Sequence, residues 1–222
     1  MWGKSEQIVL WIITYIPLIL IMIFRFIVSN GFINLDSCTI TIFDKDIDIN
    51  KVILEVFFVI ITLVISLVLY KITIKYLLSG YERLLVQGGK GEDFFIRDIK
   101  VLSANDYSFF LLTLLLPLVS LDHSSFINLS VSLLIIFYVI SIYVKTDAIS
   151  VCPLFFFSGR KVYKGIISTG TKEQEAKDPL LRKEVIIIMK EKNLTLSRKM
   201  RGEELVGNVF YLSKIEKKDG YN

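Results

Sequence analysis

Two apolar runs, Tyr107–Leu121 and Phe126–Val144, are separated only by Asp122-His123-Ser124-Ser125. A helix rises ~1.5 Å per residue and a bilayer's hydrocarbon core is ~30 Å thick, so one crossing takes ~20 apolar residues. The second run, at 19 residues, meets that length, and the first, at 15, needs a turn from its flanks. With so little chain between them, the two runs predict an antiparallel membrane hairpin. Every other segment is placed by the side of the hairpin on which it falls.

Two further blocks, Ile8–Val28 and Val52–Tyr70, have the same character. Hydrophobic residues make up 53% of the 222-residue chain, more than the ~45–50% of soluble domains counted with glycine, and the excess lies in these blocks. Amides in lipid must be satisfied within their own segment, so each block predicts a helix and the count is four crossings. A secretory signal fits the first block poorly. Its run is about 21 residues where a signal has ~7–15, and no small-x-small cleavage site follows.

Lys and Arg set the orientation. With the N-terminus inside, the outer loops hold only Lys45 and Lys51 against Asp36, Asp44, Asp46, Asp48 and Asp122, and 23 of the 26 basic residues stay inside. The predicted fold class is an α-helical membrane protein, N-in and C-in, with a small β-rich cytoplasmic C-terminal domain. Residues 1–149 form the four-helix part, with a cytoplasmic loop at 71–106, and residues 150–222 the β-rich part. A bilayer then separates Cys38 from Cys152, which excludes a disulfide within one chain. A free thiol and an intermolecular Cys38 bridge both remain open.

Near the outer end of the first helix lies Arg25, and Glu55 enters the second helix from the same side. Arg25 either snorkels to phosphates or pairs with Glu55. In the outer loop, Thr39–Phe43 and Asp46–Ile49 alternate at the period of short strands. Asp44, Asp46 and Asp48 start like a calcium loop, but the glycine at its sixth position and the glutamate at its twelfth are missing. After Tyr70 the second helix continues to Leu78 as a stalk, and Ser79-Gly80 is expected to break it. Gly88-Gly89-Lys90-Gly91 lacks the spacing of a phosphate loop and reads as a turn. Phe94, Phe95 and Ile96, beside Arg97 and Lys100, suit either the headgroup level or packing against the C-terminal domain.

No carboxylate or lysine falls near a midplane, which argues against a pump. The hydroxyls Thr14, Thr62, Ser66, Thr113, Ser120, Ser130, Ser132 and Ser141 suit helix packing better than pore lining. The one histidine, His123, has no nucleophile motif beside it. No catalytic constellation, metal cluster or cofactor motif is found, and the chain reads as a non-enzyme.

Residues 145–222 carry 16 basic and 10 acidic side chains. Three strand-like runs, Val162–Thr169, Glu184–Lys190 and Asn208–Ile215, are joined by a weaker one, Leu194–Met200. Lys190–Asn193 is a plausible hairpin corner between Val185–Met189 and Leu194–Leu196, and Gly170–Lys183 an exposed loop. Arg160, Lys161, Lys164, Arg182, Lys183, Arg198, Lys199 and Arg201 are the candidates for a partner-binding face. Anionic headgroups would draw each at ~1 kcal/mol, and a cytosolic protein is an equal candidate. Direct nucleic-acid contact is not expected, because the one dense cluster, Arg198–Arg201, lacks stacking aromatics.

Four crossings with a tight last hairpin lead into Val151-Cys152-Pro153-Leu154-Phe155 and then Gly159-Arg160-Lys161-Val162-Tyr163, followed by a basic β-rich tail. This layout resembles the KwaA family, the membrane subunits of the Kiwa anti-phage defence system. The resemblance implies a multi-pass protein of the bacterial inner membrane that senses infection and works with a cytosolic, DNA-binding effector, KwaB. It also implies a homo-oligomer, with a tetramer favoured, and carries over no catalytic residue. The expected function is a sensor and scaffold subunit. The alternative is an oligomeric pore that depolarises the cell.

Overall fold

A computed structural model describes residues 2–33, 38–42, 45–49, 51–86, 90–119, 124–190 and 199–214. His123, Asp44, Arg198 and the expected run Leu194–Leu196 lie outside the described residues. Four long helices form: α1 (Lys4–Ser29), α2 (Lys51–Val86), α3 (Ala104–Val119) and α4 (Phe126–Lys145). Three of them, α1, α2 and α4, are long and apolar enough to cross a membrane. α3, at 16 residues, covers about 24 Å at a helix's rise. Between α1 and α2, two short strands, β1 (Cys38–Ile42) and β2 (Lys45–Ile49), pair antiparallel, Thr39 opposite Asp48 and Thr41 opposite Asp46.

α1 is the axis of the bundle. Trp11, Tyr15, Leu18 and Met22 are buried along one stripe, as an amphipathic helix requires. Trp11 stacks on Tyr143 of α4 at 4.2 Å, and Phe24 on Phe58 of α2 at 3.7 Å. Such pairs add about 0.5–1.5 kcal/mol beyond the area they bury. α2 buries only 11% of its apolar window, so most of its length meets whatever surrounds the protein.

The expected break at Ser79-Gly80 does not occur, and α2 runs unbroken to Val86. A helical glycine costs ~1 kcal/mol relative to alanine. Leu78 and Leu85, both buried on either side of Gly80, offset this, because a fully buried leucine contributes ~1.5–3 kcal/mol.

Five strands close into a barrel: β3 (Glu92–Val101), β4 (Lys161–Ser168), β5 (Arg182–Met189), β6 (Lys199–Val206) and β7 (Val209–Ser213), in the order β3-β4-β5-β7-β6. All neighbours are antiparallel except β5 and β7. β3 serves both sides of the closure, pairing with β6 through Glu92–Phe95 and with β4 through Phe95–Val101, with a bulge between Ile96 and Asp98. This order, with one parallel pair and a bulged first strand in both halves, is the topology of the OB-fold, a five-stranded Greek-key barrel. β5 has both edges occupied, by β4 and β7; beyond Lys190, the rest of the expected hairpin corner Lys190–Asn193 and its second arm Leu194–Leu196 lie outside the described residues.

The barrel is not confined to residues 150–222. Its first strand precedes the α3–α4 hairpin, and its other four follow it. The hairpin is thus an insertion between the first two strands of the barrel. Of the two readings of Phe94–Ile96, packing with the C-terminal strands holds: Phe94 and Ile96 are buried inside the barrel with Tyr163, Ile187, Met200 and Leu212. Gly202 lies among them, where an added Cβ would overlap Leu212 Cδ2.

Candidate functional site

The strands alternate, and the residues turned out of the barrel are in part as buried as those turned in. Val162, Ile188, Leu205 and Tyr211 join one core with Leu78 and Leu85 of α2 and Trp2 before α1. One wall of the barrel is therefore packed against the helices, and this seam is where the two halves of the protein meet.

Polar contacts lock the seam at several points. Glu82, on α2, accepts a hydrogen bond from Arg160 Nη2 at 2.6 Å and another from the Tyr211 hydroxyl of β7. Arg160 is buried and Glu82 keeps 28% of its side chain exposed, so the pair is partly desolvated rather than a surface bridge. The Trp2 amide donates to the Leu205 carbonyl of β6 at 2.7 Å. Lys4 Nζ donates to the Val144 carbonyl and to Asp147 Oδ1, each at 2.7 Å, and Gln7 Nε2 donates to the same carboxylate at 2.8 Å. Asp147 holds φ +53, a left-handed turn just beyond α4 that an aspartate tolerates better than most residues. Lys164 of β4 reaches Asp106, in the first turn of α3, at 2.9 Å. Each of the four long helices is tied to the barrel or to the chain leading into it.

The wedge between them is the segment Ile149–Phe157. Ile149, Cys152, Leu154 and Phe155 have no exposed surface. Cys152 Sγ sits 3.3 Å from Thr14 Oγ1, whose backbone carbonyl accepts from the Tyr70 hydroxyl at 3.1 Å. α1, α2 and the wedge thus share one buried contact. Burial pushes the Cys152 thiol up to about 12. In the sequence, Val151–Phe155 stands only as the lead from the last crossing into the β-rich tail. Its concentration of Cys, Leu and Phe right after a helix end was the available signal that it is core.

Among the described residues, the basic candidates for a partner-binding face sit in different surroundings. Arg160 is consumed by the seam. Arg182 pairs with Glu175 at 2.8 Å, and Lys199 and Arg201 with Asp93 at 2.8 and 3.7 Å. Lys161 and Lys183 are exposed, but they sit opposite Met189 and Ile167 in the β4–β5 ladder, about 20 Å apart at strand rise. Arg25 and Glu55 line one cleft between α1 and α2.

At the edge of the barrel, Glu175 is buried in a short helix, α5 (Lys172–Lys177), opened by a Thr171–Gln174 capping box. It takes hydrogen bonds from Arg97 Nε at 2.6 Å and Arg182 Nε at 2.8 Å. Burial opposes its ionisation, and bonds from Arg182, Ser168 and Arg97 more than offset this, holding the carboxyl down at about 2. Arg97 is the bulged residue of β3, so the bulge aims its side chain at this carboxylate. Among the described residues, no group of three or more His, Cys, Asp or Glu is placed to hold a metal.

Helices long and apolar enough to cross a membrane, locked along one seam to a closed β-barrel, define a helix-and-barrel protein of membrane type. The family model for anti-phage protein KwaA matches residues 6–211, and the chain belongs to that family. Its role is therefore in defence against phage. No curated protein and no solved structure matches the chain.

Proposed function

We propose that this chain is a membrane-embedded sensor and scaffold of an anti-phage complex, one that recruits and regulates a cytosolic nucleic-acid-binding effector. The observation that carries the reading is the seam. Glu82 binds both Arg160 and Tyr211, so a displacement of α2 in its membrane must be passed to the barrel or must break a partly desolvated ion pair. A sensor needs two packings with unequal affinity for its partner, and only contacts that differ between them shift the balance.

In this reading the four long helices all cross the bacterial inner membrane, with both termini and the barrel in the cytoplasm and several copies forming a homo-oligomer. α3 is the mismatched crossing. Its 16 residues fall short of a ~30 Å core, and mismatch costs a fraction of a kcal/mol per Å, which makes this helix responsive to local thinning. The barrel is a protein-binding module with no catalytic role. The strand face that OB-folds use for oligonucleotides, on their second and third strands, is here β4 and β5. Val162 and Ile188 of that face are buried against the helices, which favours indirect contact with nucleic acid, through the effector.

The buried hydroxyls favour this reading over a pore. Thr14, Thr62, Ser66 and Ser132 are all buried within the single chain, and Ser66 and Thr14 bond carbonyls one turn back. The test is co-purification of the tagged full chain from detergent with its genomic neighbours present. A nucleic-acid-binding protein should come down with it, and barrel-side substitutions at Lys161 and Lys183 should weaken the association. Recovery of no cytosolic protein, together with potassium efflux on expression of this chain alone, overturns the reading in favour of a pore.

A further inference from the structure

At the end of the α1–α2 pair that lies away from the barrel, an open cleft of about 470 Å³ separates the two helices. Ile21, Phe24, Val28 and Val59 give it apolar walls, and Arg25, Lys51 and Glu55 line it with charge. Arg25 is four residues from the end of α1 and Glu55 four residues from the start of α2, so each lies ~6 Å in from its helix end. The two opposite charges share one depth. If the helices cross a bilayer, that depth is the boundary between acyl chains and phosphates, where a long cationic side chain reaches outward.

We propose that this cleft is a phospholipid site that selects an ethanolamine headgroup. The lipid phosphate sits on Arg25 with Lys51 at the rim, the ammonium donates to Glu55, and the acyl chains run along Phe24 and Val59. Charge complementarity decides among lipids. A simple anion site would not carry a carboxylate beside its cations, since like charges brought together cost affinity. A headgroup with one phosphate and one primary ammonium answers both signs. The primary ammonium also has three N–H donors for Glu55, whereas a trimethylated one has none. Arg25 therefore supplies general phospholipid affinity and Glu55 the selectivity.

This inference rests on the helices crossing a membrane, and the experiment separates the two. The purified full-length protein is examined by native mass spectrometry with ethanolamine, choline and glycerol phospholipids of identical acyl chains. The parent should prefer the ethanolamine lipid by about tenfold, the scale of one charge-assisted hydrogen bond. Glu55→Ala should abolish the preference over choline lipid while lipid still binds. Glu55→Gln, which keeps an acceptor and the side-chain size, should leave a preference of about threefold. Arg25→Ala should weaken all three lipids alike. Equal binding of the three lipids by the parent, or a preference that survives Glu55→Ala, overturns the proposal. Retention in vesicles after alkaline carbonate reports the membrane reading separately. Release overturns both, and retention without selectivity overturns this proposal alone.

Discussion

Glu82 and Arg160 meet at 2.6 Å although 78 residues separate them in sequence: one is on the last turns of α2, the other is the residue just before β4. The contact joins the longest helix to the barrel where their apolar surfaces already touch, and it holds Tyr211 as a third member.

Removing one partner of a desolvated pair strands the other. Arg160→Met should destabilise the protein by about 2 kcal/mol, below the value for a fully buried pair because Glu82 is partly exposed and keeps Tyr211. Tyr211→Phe should cost about 1 kcal/mol. Tryptophan fluorescence melts in detergent, following Trp2 against β6, give both numbers. Parent-like melting of Arg160→Met would show that the seam is held by its apolar contacts alone.

Glu175 makes the barrel sensitive to acid. Its carboxyl is lowered from 4.5 to about 2 on folding, so the stabilisation is complete above pH 4.5 and drains away as pH falls through 2. The parent should lose thermal stability across that window. Glu175→Gln should be less stable than the parent at pH 7 and should show a flatter pH profile, measured by far-UV circular dichroism.

The Cys152 thiol should resist alkylation. It is fully buried and its deprotonation is pushed up to about 12, and the thiolate is the reacting species. In a Cys38→Ser background at pH 7.5, a maleimide should label Cys152 only after denaturation. Rapid labelling of the native protein would mean that the wedge opens.

Two backbone positions leave little room for change. Gly202→Ala places a Cβ against Leu212 inside the barrel, and overpacking of this kind costs about 1–3 kcal/mol. At Asp147, with φ +53, valine and glycine both lose the carboxylate's bonds to Lys4 and to the buried Gln7, and a β-branched valine should cost about 1–2 kcal/mol more than glycine. The order of melting temperatures, glycine above valine at 147, checks the assignment.

Residues 150–222 alone should not fold. They contain β4–β7 but leave β4 and β6 with the edges that β3 normally covers. The fragment should show no cooperative melt. Joining residues 90–102 to 158–214 through a short linker should restore one.

Much of the architecture was legible in the residues. Length and apolarity located α1, α2 and α4, and alternation located β1, β2, β4, β5 and β7 to within two or three residues. β3 was hidden because its bulge at Arg97 breaks the two-residue period, and because its partners lie beyond the inserted α3 and α4, where no local pattern can point. The strand β6, Lys199–Val206, contains Lys199 and Met200 of the expected Leu194–Met200, whose earlier residues lie outside the described ones, and it runs on to Val206, where Gly202 and two glutamates dilute the apolar signal. α2 outran its expected end because the packing of Leu78 and Leu85 outweighs a local glycine. The ion pairs of Arg160, Arg182, Lys199 and Arg201 were not legible, since pairing and ladder position are properties of the folded chain.

The insertion of α3 and α4 between the first and second barrel strands has a consequence for biosynthesis. A ribosome releases β3 well before β4 exists, so ring closure waits until both hairpin helices have left the exit tunnel and come back to the same face. A molecule whose hairpin goes astray keeps an open, sticky strand edge for proteases to find. Completion of the ring is thus a built-in check that the two inserted helices have brought their flanking strands together.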